Sequence, residues 1–429
     1  MPEKSWRKGK WITWGGRGFW AVTDQALFAL SNFAMNILLA RWLVPEDYGA
    51  FAVAFTLFLL IGALHTGILT EPMQVFGPGK HKERFGNYLY VLVKGHAAFG
   101  FLGSVLFALA AITLWYFTES PLTFALGGLA FALPFILFQW LLRKATYVLL
   151  TPILAAKAGM LYMVLMFSGL FGLHHIEIIG SATALIVMGL ASLISGLWLA
   201  WKLHAHRSAE DPEGLQRLAM EDHWRYGRWA MMTGMLGWVP GNIVYLLLPV
   251  WHGLEMAAVL RALNNLIMPV LQIKIALFAL LLPVLVRLRQ SDYPRMLRMA
   301  RNVGLVFTLA AVGYWVLIGL FGSTVVDFLY VSHYTSYANL LWALGVVPVI
   351  AVWMGAATAL LRAMERPALI MRAHAIAAII SITMGVAVVW IFGLAGAITL
   401  LLLIQAIKAL VLWSSIFSQK QGPIKSLPS

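Results

Sequence analysis

The side chains placed to do chemistry in this sequence are the few polar ones that interrupt its long apolar runs. Lys157, Arg261 and Lys274 each lie inside such a run, where an ionised group is costly unless it meets water or protein. Arg offers a planar fork and Lys a compact point charge, so buried bases of this kind suit an anion. Asn32, Asn36, Asn265 and Gln272 add amides able to bond hydroxyl groups. On an ideal helix Arg261, Asn265 and Gln272 fall within about 40° of one another, with Asn264 adjacent and Lys274 pointing elsewhere. Asp24, Gln25, Ser31, Asn32 and Asn36 form a second stripe, about 140° wide, which lines a cavity or bonds neighbouring helices. Lys157 follows Lys144 by roughly 20 Å of helix rise, which places it near a bilayer midplane. Lys94 and Lys408, nearer the ends of their runs, are expected to snorkel. Asp24 is the one clear carboxylate inside a run and the candidate for ion coupling. His65, His96 and His374 read as structural. Pro240 and Gly241, within Trp238-Val239-Pro240-Gly241-Asn242, predict a helix break or hinge, and Pro269 predicts another. The sequence places no P-loop, zinc spacing or nucleophile motif in a plausible context, so no enzyme activity, cofactor or metal is expected.

These residues need a frame, and composition defines it. The chain has 429 residues, 61% apolar and only 11% charged, against about 25% charged in a soluble domain. That leaves too little polar surface for water, so hydrocarbon is the solvent. The runs are continuous rather than alternating, which excludes a transmembrane barrel. The expected fold is all-α and polytopic, with spans near 19–40, 48–69, 88–110, 122–142, 152–172, 178–201, 229–250, 255–283, 303–322, 339–361, 368–391 and 395–417. Residues 202–228, rich in both charge signs, divide a six-helix lobe at 1–201 from another at 229–429, around a central cavity. No loop is large enough for a catalytic domain.

The net charge of +14 sorts by side. With a cytoplasmic N-terminus, 25 of the 31 Lys and Arg residues fall on the inner side and only Arg41 in an outer loop. Both termini are therefore expected in the cytoplasm, and the charge is orientation rather than nucleic-acid binding. Zero cysteines exclude disulfides and thiolate chemistry.

The first two spans, DQALFALSNFAMNILLARWLVPEDYGAFAVAFTLFLL from Asp24 to Leu60, resemble bacterial polysaccharide-biosynthesis membrane proteins. These are the O-antigen (Wzx-type) flippases of the multidrug/oligosaccharidyl-lipid/polysaccharide (MOP) exporter superfamily. The likeness rests on Ser31-Asn32, Ala40-Arg41, Pro45-Glu46-Asp47-Tyr48-Gly49, Thr70-Glu71-Pro72 and the HWRYGRW entry to the seventh span. Twelve spans depart from the fourteen frequent among such flippases. The resemblance implies two six-helix lobes that move a polyprenyl-diphosphate-linked oligosaccharide to the outer leaflet of a bacterial inner membrane. Lys157, Arg261 and Lys274 would meet the diphosphate and the amides the sugar. Its partners would be the bilayer and the polymerase and glycosyltransferases of the same pathway. Two alternatives stand beside this: an ion-coupled multidrug or cation antiporter of the same superfamily, and a membrane glycosyltransferase or polymerase.

Overall fold

The computed structural model describes residues 3–204 and 214–418, and the described chain is helical from end to end. In order run α1 (Glu3–Trp42), α2 (Pro45–His65), a π-helical turn (Thr66–Thr70), α3 (Glu71–Phe76), α4 (Phe85–Phe117), α5 (Pro121–Val148), α6 (Pro152–His175) and α7 (Ser181–His204). There follow α8 (Leu215–His252), α9 (Leu254–Ser291), α10 (Tyr293–Leu320), α11 (Gly322–Tyr330), a 3-10 turn (Thr335–Leu340), α12 (Leu341–Leu344), α13 (Val346–Ala363) and α14 (Pro367–Ser418). Pro45, Pro121 and Pro152 open helices at the position where a missing N–H costs no bond. Ser120 and Asp292 cap α5 and α10 through Leu122 N (3.3 Å) and Arg295 N (2.8 Å).

Among the described residues, ten helical stretches are long and apolar enough to cross a membrane. The longest, Pro367–Ser418, is two helices meeting at Gly393. A Cβ on Gly385 would sit 3.2 Å from Leu400 Cδ2, although residues 385 and 400 would be about 22 Å apart on one straight helix; the segment is a hairpin. Gly393 has φ 54° and ψ −130°, a conformation essentially reserved for glycine. The carbonyls freed at the turn, those of Val389 and Trp390, are met by His252 Nε2 at 2.9 and 3.2 Å. The polar stripe of α1 lowers its hydropathy below that of the ten, and counting it completes the twelve spans expected.

The chain forms two compact units, Met1–Met235 and Leu236–Ser429. The division falls inside α8, so residues 215–228, expected to be linker, belong to a helix of the first unit; residues 205–213 lie outside the described chain. In the N-terminal unit α5 packs on α4, α7 and α2, and α1 packs on α6. The α5–α7 approach depends on small residues: a Cβ on Gly189 would come within 2.8 Å of Ala132 Cα. Asp47, in the first turn of α2, ties that helix to α7 through Ser181 Oγ (2.5 Å) and Ser181 N (2.9 Å). In the C-terminal unit α9, α10, α13 and α14 enclose a core around Leu285, Met296, Val352 and Leu360. The hydroxyls of Tyr314 and Tyr330 donate to the α9 carbonyls of Leu266 and Ala262.

Candidate functional site

The polar stripe of α1 is largely consumed inside the N-terminal unit. Asp24 is fully buried. Its Oδ1 accepts from Arg143 Nε (2.7 Å), and its Oδ2 accepts from Arg143 Nη2 (2.7 Å), Tyr147 Oη (2.5 Å) and Gln25 Nε2 (3.1 Å). Four donors thus converge on the carboxylate, three of them on Oδ2. Arg143, counted from sequence as an inner-side charge, is a buried partner stacked on Phe28 at 4.6 Å. The ion-coupling candidate is thus a neutralised pair. Asn36 is also enclosed: its amide donates to Asn32 O (2.8 Å) and its Oδ1 accepts from Tyr48 Oη (3.5 Å), so it binds helices together rather than lining a cavity. Asn32 donates to Phe28 O (2.9 Å) and stays half-buried. His65 Nε2 and His96 Nδ1 lie 3.0 Å apart in the same interior.

Lys157 is not near the middle of a span. α5 ends at Val148, Leu150 turns with φ 56°, and α6 starts at Pro152, so Lys157 occupies the second turn of a new helix and is exposed. The rise counted from Lys144 assumed one continuous helix, which the turn breaks.

At the Lys80 end of the unit, Asp222 gathers Lys80 Nζ (2.6 Å), Arg225 Nη2 (3.5 Å) and His81 Nε2 (3.7 Å). His81 stacks on Tyr88 at 4.1 Å; Tyr88 Oη meets His223 Nε2 (2.5 Å), whose Nδ1 donates to Ile68 O (2.7 Å). Burial holds the His81 pKa below its usual 6.5, although Asp222 pulls it upward. This network fixes the first turns of α8 to the 77–84 connection.

The C-terminal unit holds the remaining candidates. Arg261 (8% exposed) and Asn265 (5%) are buried on α9, and the guanidinium lies 5.8 Å from the Tyr245 ring, bonding its hydroxyl. Asn264 Nδ2 also donates to Tyr245 Oη at 2.9 Å. Gln272, expected on the same face, is exposed, so burial of that face stops past Pro269. Both α8 and α9 continue through their prolines, and the break expected at Pro240-Gly241 does not form; α9 likewise runs unbroken through Pro269.

Lys408 departs from its expected surroundings. Expected to snorkel, it is instead 7% exposed on the second limb of α14. Lys274 of α9, half-buried, is close enough for the two charges to repel. His374, on the first limb of α14, lies within electrostatic reach of Lys408 and Arg362. His374 Nδ1 and Gln405 Oε1 are buried without hydrogen-bond partners. The unit's four carboxylates are elsewhere: Glu255 opens α9, Asp292 caps α10, Asp327 accepts from Ser332, and Glu365 pairs with Arg289 at 2.9 Å. Among the described residues, neither Lys274 nor Lys408 forms an ion pair.

Solved structures share this architecture. An inward-facing multidrug-resistance MATE transporter of the MOP superfamily superposes with a TM-score of 0.76 at 15% identity, covering 95% of this chain and 100% of its own. An outward-facing MATE transporter of the same superfamily gives 0.64 at 15% identity, over 94% and 95%. A MOP-superfamily transporter from Pyrococcus furiosus, described as having a binding pocket of reversed polarity, gives 0.60 at 13% identity, over 93% and 94%. No curated protein sequence matches the chain. The fold is therefore that of the MOP-superfamily transporters. Within it, a family model described as polysaccharide biosynthesis protein matches residues 38–339, and the chain belongs to that family.

Proposed function

We propose that this protein moves a polyprenyl-diphosphate-linked oligosaccharide from the cytoplasmic to the outer leaflet of a bacterial inner membrane, with both chain termini in the cytoplasm. The observation that carries the reading is the Lys274–Lys408 pair, two repelling bases with no carboxylate partner among the described residues. A buried cation without a counter-charge is costly, and an incoming diphosphate offsets that cost through charge-assisted hydrogen bonds. Lys274, the more exposed, would meet the phosphate first, and the buried Lys408 second. Arg261, Asn265, Gln272, Asn32 and Lys157 contribute further contacts only if the transport cycle exposes or approaches them. Moving about two negative charges outward through an inside-negative potential yields on the order of 4–5 kcal/mol per 100 mV. The drive thus needs no nucleotide. The pathway's glycosyltransferases and polymerase would supply the substrate and consume the product.

The second reading, an ion-coupled drug antiporter, draws support from the multidrug MATE structures that share the fold. Neutralisation of Asp24 by Arg143 weighs against it. Complementation of a flippase-deficient strain separates the two. Lys274→Gln combined with Lys408→Leu should abolish surface polysaccharide at normal protein abundance. Full complementation by that variant, or dye efflux by the wild type, would overturn the flippase reading.

A further inference from the structure

The N-terminal unit contains a cleft of about 790 Å³ that the Asp24 network does not touch. It opens where α2 passes into the π-helical turn Thr66–Thr70 and then α3, opposite Trp140 of α5 and residues 225–234 of α8. That is the one π-helical turn among the described residues, and such turns concentrate at functional sites. Two indoles face the space: Trp140, braced edge-on by Phe28 and Phe58, and Trp229, 57% exposed. Glu71 lines the same cleft, and its Oε1 accepts from Tyr226 Oη at 3.0 Å. The Glu71 carboxylate has this neutral donor and no ion pair among the described residues, so most of its acceptor capacity is unspent. Thr66, Arg225 and Thr233 complete the polar lining.

Flat apolar faces beside an under-used carboxylate match one ligand chemistry closely. A pyranose ring presents C–H groups on one face, which pack on indole, and pairs of adjacent hydroxyls, which donate to a carboxylate. The volume lies within the range typical of small-ligand sites, larger than a single ring needs. Glu71 and Arg225 bring opposite charges to the same cleft, so its net charge suits a neutral ring better than a diphosphate. An organic cation would find the indoles and Glu71 attractive, but the Arg225 guanidinium opposes it.

We infer that this cleft is a binding subsite for an uncharged sugar ring, separate in chemistry from the Lys274–Lys408 pair. The inference rests on the saccharide reading above but fails independently of it. The test uses the full-length protein in lipid nanodiscs, with intrinsic tryptophan fluorescence and saturation-transfer NMR. The probes are N-acetylglucosamine, galactose and rhamnose, with tetraphenylphosphonium as the cationic control. At least one sugar should bind wild type. Trp229→Leu and Glu71→Gln should each weaken that binding tenfold or more, while Trp115→Leu, at an exposed indole outside the cleft, leaves it unchanged. Trp229→Phe, which keeps an aromatic face, should retain most of it and guards against a folding artefact. Absence of binding by all three sugars, or binding indifferent to Trp229 and Glu71, overturns the subsite and leaves the flippase reading to its own complementation test. Glu71-dependent binding of tetraphenylphosphonium in place of sugar overturns the subsite as well and reassigns the cleft to organic cations.

Discussion

The two units treat buried charge in opposite ways. In the N-terminal unit Asp24 and Arg143 neutralise each other through two 2.7 Å bonds, with Tyr147 and Gln25 donating to the carboxylate as well. In the C-terminal unit Lys408 is as enclosed as Arg143, and among the described residues no carboxylate pairs with it or with the neighbouring Lys274. A charge pair that satisfies itself is part of the architecture. A base that the fold buries without a counter-ion is where the proposed diphosphate would be met.

The sharpest way to break this contrast is to remove one partner from each unit. Arg143→Leu strands the Asp24 carboxylate and should cost about 3–5 kcal/mol, read as lost abundance and a lower midpoint of thermal unfolding in detergent. The double variant Asp24→Leu/Arg143→Leu should recover most of that loss. Lys408→Leu should do the reverse: unfolding unchanged or raised, with surface polysaccharide lost. If Lys408→Leu destabilises as much as Arg143→Leu, the two charges are equivalent and the contrast disappears.

Smaller effects sharpen the picture. Gly393→Ala forces a Cβ into a glycine conformation, 3.2 Å from the His252 ring, and should cost about 1–3 kcal/mol in the C-terminal unit. The N-terminal unit should instead respond to pH. The folded state holds the His81 pKa below 6.5, so below that pH the unfolded state takes up a proton that the folded state resists. The docking of residues 215–228 should therefore weaken as pH falls from about 7.5 to 5.5. Faster amide exchange in that segment at the lower pH checks it, and His81→Phe should flatten the dependence.

The spans were legible because each is a continuous apolar run, and even the 392–394 gap marks the glycine turn of α14. Depth and pairing were harder to read. Lys157 seemed central because its height was counted as unbroken rise from Lys144, across a boundary that the expected spans 122–142 and 152–172 already marked and that the Leu150 turn forms. Arg143 seemed to belong to a loop because its partner, Asp24, lies on α1, and no local pattern links residues so distant in sequence. Lys408 seemed free to snorkel because hydropathy gives distance from a helix end but not which neighbours close over it. The cleft was invisible for the same reason: Glu71, Trp140 and Trp229 meet only after three helices pack. What sequence supplied there was the Thr70-Glu71-Pro72 motif without a use for it.

The turn at Gly393 has a practical consequence for mapping the topology of this chain. Its entire connection is one residue plus an imidazole borrowed from the end of α8, with no spare backbone to accommodate an insert. An epitope tag or reporter should be accepted in the exposed Thr118–Glu119 connection between α4 and α5, and rejected at residue 393. A failed fusion at that point would therefore reveal a tight corner and say nothing about which side of the membrane it occupies.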